Sequence, residues 1–163
     1  MTLTSILPSL RASLPDPLDP TLWPARTEAT IDDVRVRAVS MLRLAAVAGT
    51  PCVHTAEQAP PRYRPRDWVP ADVCVTVATV TRVRRPWGVL FVELDAVVPD
   101  CAVLDEARLI GRRSVAPSVE VTVTTNATGT AGREALLPGD VAVGDLVCFP
   151  CVRVLTHREV VAP

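Results

Sequence analysis

A valine-rich stretch in the middle of the chain constrains the fold more than any other part of the sequence. Residues 73–83 read VCVTVATVTRV, so valine alternates with cysteine, threonine and alanine. Side chains branched at the β carbon pack well on a pleated sheet, and a period of two matches a strand. The turn Pro86-Trp87-Gly88 follows, and residues 89–94 (VLFVEL) have the pattern of a return strand. The sequence therefore predicts an antiparallel hairpin inside a β fold.

Further stretches have the features of strands. Residues 32–39, 119–125 and 146–154 alternate or are rich in branched apolar residues, and residues 108–112 suit either a short strand or a turn. Pro150 lacks a backbone donor, which indicates an edge or a bulge at that point. We expect a mainly β domain, a Greek-key-like barrel or sandwich, in which the strand at 32–39 pairs with strands after residue 71.

One short helix is expected beside these strands. Ser40 is a suitable N-cap for residues 41–47, and Gly49 is a suitable stop. Asp32 and Asp33 lie just upstream, where a pair of aspartates is typical of a solvated turn.

Prolines divide the chain. Residues 1–30 carry five of them and are expected to form an extended N-terminal arm, with Trp23 lying on apolar surface. Residues 56–70 carry four more and are expected to form a loop or bridge. At 163 residues, the chain has room for one domain, which we place at residues 31–163.

The basic residues are unusual because all 17 are arginine and none is lysine. A chain without lysine has no internal Schiff base, no P-loop lysine and no lysine general base. The net charge of −1 gives no electrostatic reason to expect nucleic acid or an anionic membrane as a partner. No apolar run approaches the ~20 residues that would span a bilayer.

Five cysteines raise the questions of metal binding and redox chemistry. Cys148 and Cys151 form the only close pair, and the two histidines of the chain are isolated, so we expect structural cysteines and no metal. Whether Cys148 and Cys151 are redox active stays open. An odd cysteine count without a signal peptide leads us to expect a cytoplasmic protein.

Three polar segments have more than one interpretation. Asp140 and Asp145 are expected as turn residues on either side of a short strand. The basic-aromatic stretch at residues 82–87 is interpreted as a solvated hairpin end in preference to a nucleic-acid patch. The small-residue loop at 124–132 suits either a ligand-facing loop or a disordered one.

Four stretches, in order and with appropriate spacing, resemble the diaminopimelate decarboxylases, which are fold type III pyridoxal-phosphate decarboxylases. Gly49-Thr50-Pro51 is similar to a "GTP" motif that leads into the family's barrel, and the residues around Arg62 are similar to an "EPGRY" turn at the barrel exit. The other two are similar to the family's "VVLDAG" and "ARD…LP…VGDLL" segments. The first of these is residues 92–96 (VELDA). The second spans residues 132–147 and consists of Gly132-Arg133-Glu134, Leu137-Pro138 and residues 143–147 (VGDLV).

The resemblance implies the β domain of that family without its barrel. The family's cofactor-binding lysine belongs to the missing barrel. Most positions that are equivalent to functional residues of the family carry a different residue type here. Those that keep it are Arg62 of the "EPGR" turn and Asp95 of the "VVLDAG" strand, so the set as a whole is degenerate. The cysteine and acid that the family's β domain contributes to a neighbouring active site fall on Thr125 and Asn126. We therefore assign no catalytic residue, no cofactor and no metal.

The favoured hypothesis is a non-catalytic β-domain protein that forms a homodimer or docks onto a decarboxylase-like protein. The apolar face that the barrel covers in the family would then be the contact surface, with Val77, Trp87 and Leu90 as candidate interface residues. Two alternatives remain open. One is a small enzyme or ligand-binding protein of a biosynthetic pathway that uses the β-domain cleft without pyridoxal phosphate, and the other is the β subunit of a split decarboxylase.

The absence of lysine generates a prediction about cofactor chemistry. We expect the purified protein to show no aldimine absorbance with pyridoxal phosphate, and no borohydride-trapped adduct on any side chain, because no side-chain amine can form the imine. Intact-mass measurement after borohydride treatment checks this. A stoichiometric adduct away from the α-amine would contradict it.

Overall fold

One long strand organises the computed structural model, which describes residues 13–125 and 132–161. This strand, β5 (Asp72–Arg84), has 13 residues and matches the valine-rich stretch of the sequence. The other strands, in chain order, are β1 (Thr27–Ala29), β2 (Val34–Val36), β3 (Val39–Ser40), β4 (Cys52–Glu57), β6 (Leu90–Leu94), β7 (Arg108–Ile110), β8 (Ser118–Thr125), β9 (Arg133–Pro138) and β10 (Leu146–Cys151). The helices are α1 (Met41–Ala48) and the single turn α2 (His157–Val160), with 3₁₀ turns at Pro86–Gly88 and Leu104–Glu106.

The main sheet has seven strands in the order β7-β10-β5-β6-β8-β9, with β4 also paired to β5. Its pairs are antiparallel, apart from the parallel pair of β6 and β8. The first part of β5 pairs with β4 and β10, whereas its last part pairs with β6. The register shifts between Val80 and Arg82, where β5 passes from one set of partners to the other. The result is a curled half-barrel, which confirms the expected mainly β fold class.

The pairing expected for residues 32–39 is wrong. This stretch is not one strand but the hairpin of β2 and β3, which forms a separate three-stranded sheet with β1. Arg37 and Ala38 both have positive φ (50° and 68°), and Val36 pairs directly with Val39. This is a two-residue turn of the kind that matches the twist of a hairpin. Apolar and charged residues continue to alternate up to Ala38, so the sequence pattern does not indicate the turn.

The helix confirms the expected caps. The Ser40 hydroxyl accepts a hydrogen bond from the Arg43 N–H at 2.9 Å, and Gly49 ends α1 with φ of 76°. Asp33 lies beside the same helix end, and it is buried, so its assignment to a solvated turn is wrong. Its Oδ1 accepts from the Val34 N–H at 2.8 Å and from the Leu42 N–H at 2.9 Å. Asp33 and Ser40 together satisfy two of the free N–H groups at the start of α1.

Apolar side chains cover both faces of β5. On one face, Val75 and Val77 belong to a cluster with Trp23 and Met41, which come from the N-terminal part of the chain. The other face belongs to the larger cluster inside the curl of the sheet, to which β5 contributes Cys74, Ala78 and Val80. Trp23 is 1% exposed, which confirms that it lies on apolar surface. The chain therefore covers its own sheet on both sides.

The proline-rich bridge is the loop of a long hairpin. β4 and β5 pair up to Glu57 and Asp72, and the Gln58 N–H donates to the Ala71 carbonyl at 2.8 Å, so the ends of the loop 58–71 lie close together.

At Pro150, β10 lies beyond the end of β7, which pairs with β10 only up to Cys148. The segment 101–103 covers this side of β10 instead, since the Val103 N–H donates to the Pro150 carbonyl at 2.9 Å and Ala102 pairs with Cys151. The register with β5 also continues unbroken through Pro150, so the expected edge or bulge is wrong. Across residues 13–125 and 132–161, no helix is long and apolar enough to cross a membrane.

The buried carboxylate of Asp33 provides a test of the fold. We expect Asp33→Ala to lower the free energy of unfolding by about 1–3 kcal/mol, because one buried and one part-buried N–H group lose their acceptor. Asp32→Ala is the matched control at an exposed neighbour and should change it by less than about 0.5 kcal/mol. Urea unfolding followed by circular dichroism measures both. Equal effects of the two substitutions would contradict the assigned role.

Candidate functional site

The family-equivalent positions lie in different parts of the fold. Arg62 is exposed in the loop 58–71, where its guanidinium lies 6.0 Å from the centre of the Tyr63 ring. Asp95 follows β6, and Thr125 ends the adjacent strand β8, where it pairs with Leu94. The structure thus brings Asp95 and Thr125 to the same end of two neighbouring strands. Asn126 lies outside the described residues.

Asp95 is fully engaged in holding the sheet together. Its Oδ1 accepts from the Thr79 N–H at 2.7 Å, and its Oδ2 accepts from the Thr50 hydroxyl at 2.6 Å. The Asp95 N–H in turn donates to the Thr79 carbonyl at 3.0 Å. These contacts lie next to the point where β5 exchanges its partners. The carboxylate joins three segments of the chain, which is a structural role.

Two of the three predicted interface residues belong to the core. Val77 is 0% exposed and Leu90 is 3% exposed, so neither lies on a free surface, and the prediction for them is corrected. The reason is that β5 is covered on both faces, while Leu90 faces the interior of the curl. Trp87, in contrast, is 98% exposed.

Trp87 is the centre of a projecting basic-aromatic feature, which we call the hairpin tip (residues 84–89). Its backbone has φ of 50°, a left-handed conformation that is uncommon for a bulky residue. The Arg85 guanidinium donates to the Gly139 carbonyl, so the base of the tip is fixed to the turn after β9. Arg84 and Val89 are exposed beside Trp87. An indole is therefore exposed to solvent on a supported turn that also carries Arg84 and Arg85.

A second polar feature is centred on Arg112. Its Nε and NH2 donate to the two Asp145 oxygens at 2.7 and 2.6 Å, and its NH1 donates to Asp140 at 3.2 Å. The expected strand between these aspartates is absent, because both belong to one turn held by Arg112. Burial raises the pKa of Asp140, but the hydrogen bonds from Ser114 and Arg112 outweigh it, so the pKa lies below its ordinary value. No local pattern predicts this contact, since Arg112 and Asp145 are 33 positions apart.

Arg112 also lines a cleft of about 360 Å³ between the segment 14–17, the β1–β2 turn and the segment 105–109. Inside it, Glu106 Oε2 accepts from the Trp23 indole N–H at 2.8 Å and from Arg108 NH2 at 3.2 Å. The Nε of Arg108 is buried and has no hydrogen-bond partner. The cleft therefore has mixed charge, and Arg108, which lines it, has one buried donor without a partner.

Within 13–125 and 132–161, no group of three or more histidine, cysteine or acidic side chains is placed to hold a metal ion. Cys148 packs in the cluster with Trp23, whereas Cys151 packs in the cluster inside the curl, so the two thiols point to opposite faces of β10. As placed here, they cannot pair with each other.

Comparison with known proteins gives little beyond the fold. No protein-family profile matches the sequence, and no curated protein matches it. The arginine decarboxylase of Paramecium bursaria Chlorella virus, alone and bound to agmatine, is similar over 55% of this chain with 14% identity and a TM-score of 0.40. A diaminopimelate decarboxylase is similar over 47% of this chain with 20% identity and a TM-score of 0.34.

These similarities cover 28% and 23% of the decarboxylase chains, so this chain spans about a quarter of the length of the structures it matches. At such identities and scores, nothing about activity, substrate or partner follows. The fold described above rests on the strand order and register of this chain.

Proposed function

We propose that this chain is a non-catalytic, decarboxylase-like β domain that binds a protein partner through the hairpin tip. The observation that carries this proposal is Trp87, whose side chain is 98% exposed on a turn with left-handed backbone. Strained backbone that the surrounding structure maintains is more frequent at functional positions. An exposed indole also offers a large apolar surface that a partner could bury.

The energetics favour Trp87 as an anchor. A buried aromatic side chain removes about 150–250 Å² from water, which at ~25 cal/mol/Å² corresponds to roughly 4–6 kcal/mol before the cost of association. Tryptophan and arginine are also, with tyrosine, the residue types enriched among interface hot spots. The hairpin tip holds both types side by side, and the contact of Arg85 with Gly139 reduces the ordering that binding would require.

Charge indicates the chemistry of the partner. Arg82 is 3.6 Å from Glu93, but Arg84 has no neutralising acid among the described residues, and Arg85 is engaged only with a carbonyl. Two copies meeting tip to tip would bring these arginines together, which disfavours a homodimer through this surface. We therefore propose a partner with an apolar pocket rimmed by carboxylates. The sequence resemblance makes a full-length pyridoxal-phosphate decarboxylase-like protein the first one to test.

The enzyme alternative has less support. The chain has no lysine for pyridoxal phosphate, and both oxygens of Asp95 hold the sheet together. A small-ligand function has one specific observation in its favour, a cleft lined by Arg108, whose buried Nε has no partner. A carboxylate or phosphate oxygen of a ligand would satisfy that donor. This is the second candidate function.

The proposal predicts that binding depends on one exposed aromatic and not on another. We expect the full chain to form a complex of micromolar or tighter Kd with a decarboxylase-like protein encoded beside its gene. Trp87→Ala should weaken that complex by about 30-fold or more, as the loss of a hot spot does. Tyr63→Ala is the matched control, because Tyr63 is 84% exposed on a different loop, and should change Kd by less than about threefold.

Sedimentation velocity and titration calorimetry measure the complex. Both substitutions lie outside the core, so the variants should melt like the parent chain. A Trp87→Ala chain that binds as well as the parent would contradict the proposal. So would a parent chain that binds none of the proteins encoded beside its gene at high micromolar concentration. Either result would make the small-ligand function the leading one.

A further inference from the structure

Two buried thiols face each other where β5 pairs with β10. Cys74 and Cys151 are direct register partners in this antiparallel pair. Directly opposed residues in antiparallel strands have Cα atoms about 4.5–5.5 Å apart, which lies within the range of about 4.4–6.8 Å that disulfides span. Both side chains belong to the cluster inside the curl of the sheet, so they share one face.

The two thiols differ in how easily they ionise. Hydrogen bonding by Cys151 holds the pKa of Cys74 below its ordinary value, because it outweighs the opposing effect of burial, and Arg153 contributes in the same direction as Cys151. The same hydrogen bond, together with burial, raises the pKa of Cys151. Cys74 is therefore the thiol that ionises first and is the better nucleophile, since the thiolate is the reactive form.

The buried pair lies next to an exposed segment at the end of β10. Cys74 and Cys151 are 0% and 1% exposed, but the Cys74 sulfur donates to the Arg153 carbonyl at 3.2 Å. Residues 152–154 are exposed and follow the last residue of β10. Segments of this kind open locally at a small free-energy cost. Such an opening would admit a small reagent without unfolding the sheet.

We propose that Cys74 and Cys151 form a reversible disulfide with a low-molecular-weight disulfide, such as oxidised glutathione, as the oxidant. The Cys74 thiolate attacks one sulfur of the oxidant, which forms a mixed disulfide and releases one glutathione thiolate. The deprotonated Cys151 then attacks the Cys74 sulfur, forms the protein disulfide and releases the second glutathione thiolate. Two protein thiols are oxidised, one oxidant disulfide is reduced to two thiols, and the two protons pass to the released thiolates.

The other cysteines have no equivalent partner. Cys52 and Cys148 are opposite Val77 on either side of β5, not opposite each other. Burial raises the pKa of both of these thiols, which makes them less reactive. Cys101 is partly exposed, and its carbonyl accepts from the Val152 N–H at 3.0 Å, which makes it the neighbour that could compete for Cys151. The inference is independent of partner binding, because none of these residues belongs to the hairpin tip.

Peptide mapping tests the proposal directly. The full chain is incubated with oxidised glutathione, alkylated and digested with trypsin, which cleaves after arginine except before proline. Cys74 then lies on peptide 67–82, Cys101 on 85–108, and both Cys148 and Cys151 on 134–153. We expect a cross-linked species of 67–82 with 134–153, two hydrogen atoms lighter than the sum, which disappears on reduction with dithiothreitol.

Matched variants assign the sulfurs. The cross-link should be lost in Cys74→Ala and in Cys151→Ala and retained in Cys148→Ala. Fragment ions of the cross-linked peptide from the parent chain should also place the bond on Cys151, and this assignment does not depend on whether a variant folds. The oxidised chain should melt about 5–15 °C higher than the reduced one, because the bond closes a long loop. Five alkylated thiols after oxidation would overturn the proposal, as would a cross-link that involves Cys101 or survives in Cys151→Ala.

Discussion

The double pairing of β5 is the constraint on which the rest of the structure depends. Between Cys74 and Val77 this strand has β4 on one edge and β10 on the other, and apolar clusters cover both of its faces. A strand buried in this way needs apolar side chains at nearly every position, which is why residues 73–80 contain so few polar ones. It also needs material to cover its second face. The N-terminal part of the chain provides it, with Trp23, Val36 and Met41 at 0–1% exposure.

This arrangement limits what the chain can use for function. The valines that make the sheet hydrophobic are covered within the chain, so they do not form a surface for a partner. The Asp95 carboxylate and the Arg112–Asp145 pair likewise connect segments of the fold. The hairpin tip remains, because β5 extends beyond β4 and β10 and carries Trp87 away from both clusters. The function proposed for Trp87 thus follows from the length of β5.

Local signals in the sequence predicted local structure well. The β5–β6 hairpin and α1 with Ser40 and Gly49 as caps are confirmed, because each depends on residues close in sequence. The edge or bulge expected at Pro150 is absent, because the distant segment 101–103 pairs there with β10. The turn at Arg37 and Ala38 was missed, since neither residue is the glycine or asparagine that usually occupies positive φ. The burial of Val77 and Leu90, the pair of Arg112 with Asp145 and the opposition of Cys74 and Cys151 all depend on contacts between distant segments. Alternation within one strand carries no information about them.

The central claim is that this chain covers both faces of β5 by itself. Native-state hydrogen exchange on the dilute, isolated chain tests it most directly. We expect the amides of residues 74–77 to exchange only through global unfolding, with the same free energy as urea unfolding gives, because both edges and both faces of that segment are covered. If these amides exchanged as fast as those of the loop 58–71 while the β5–β6 hairpin stayed protected, the face under Trp23 would be open in the free chain. The account of a self-contained sheet would then be wrong.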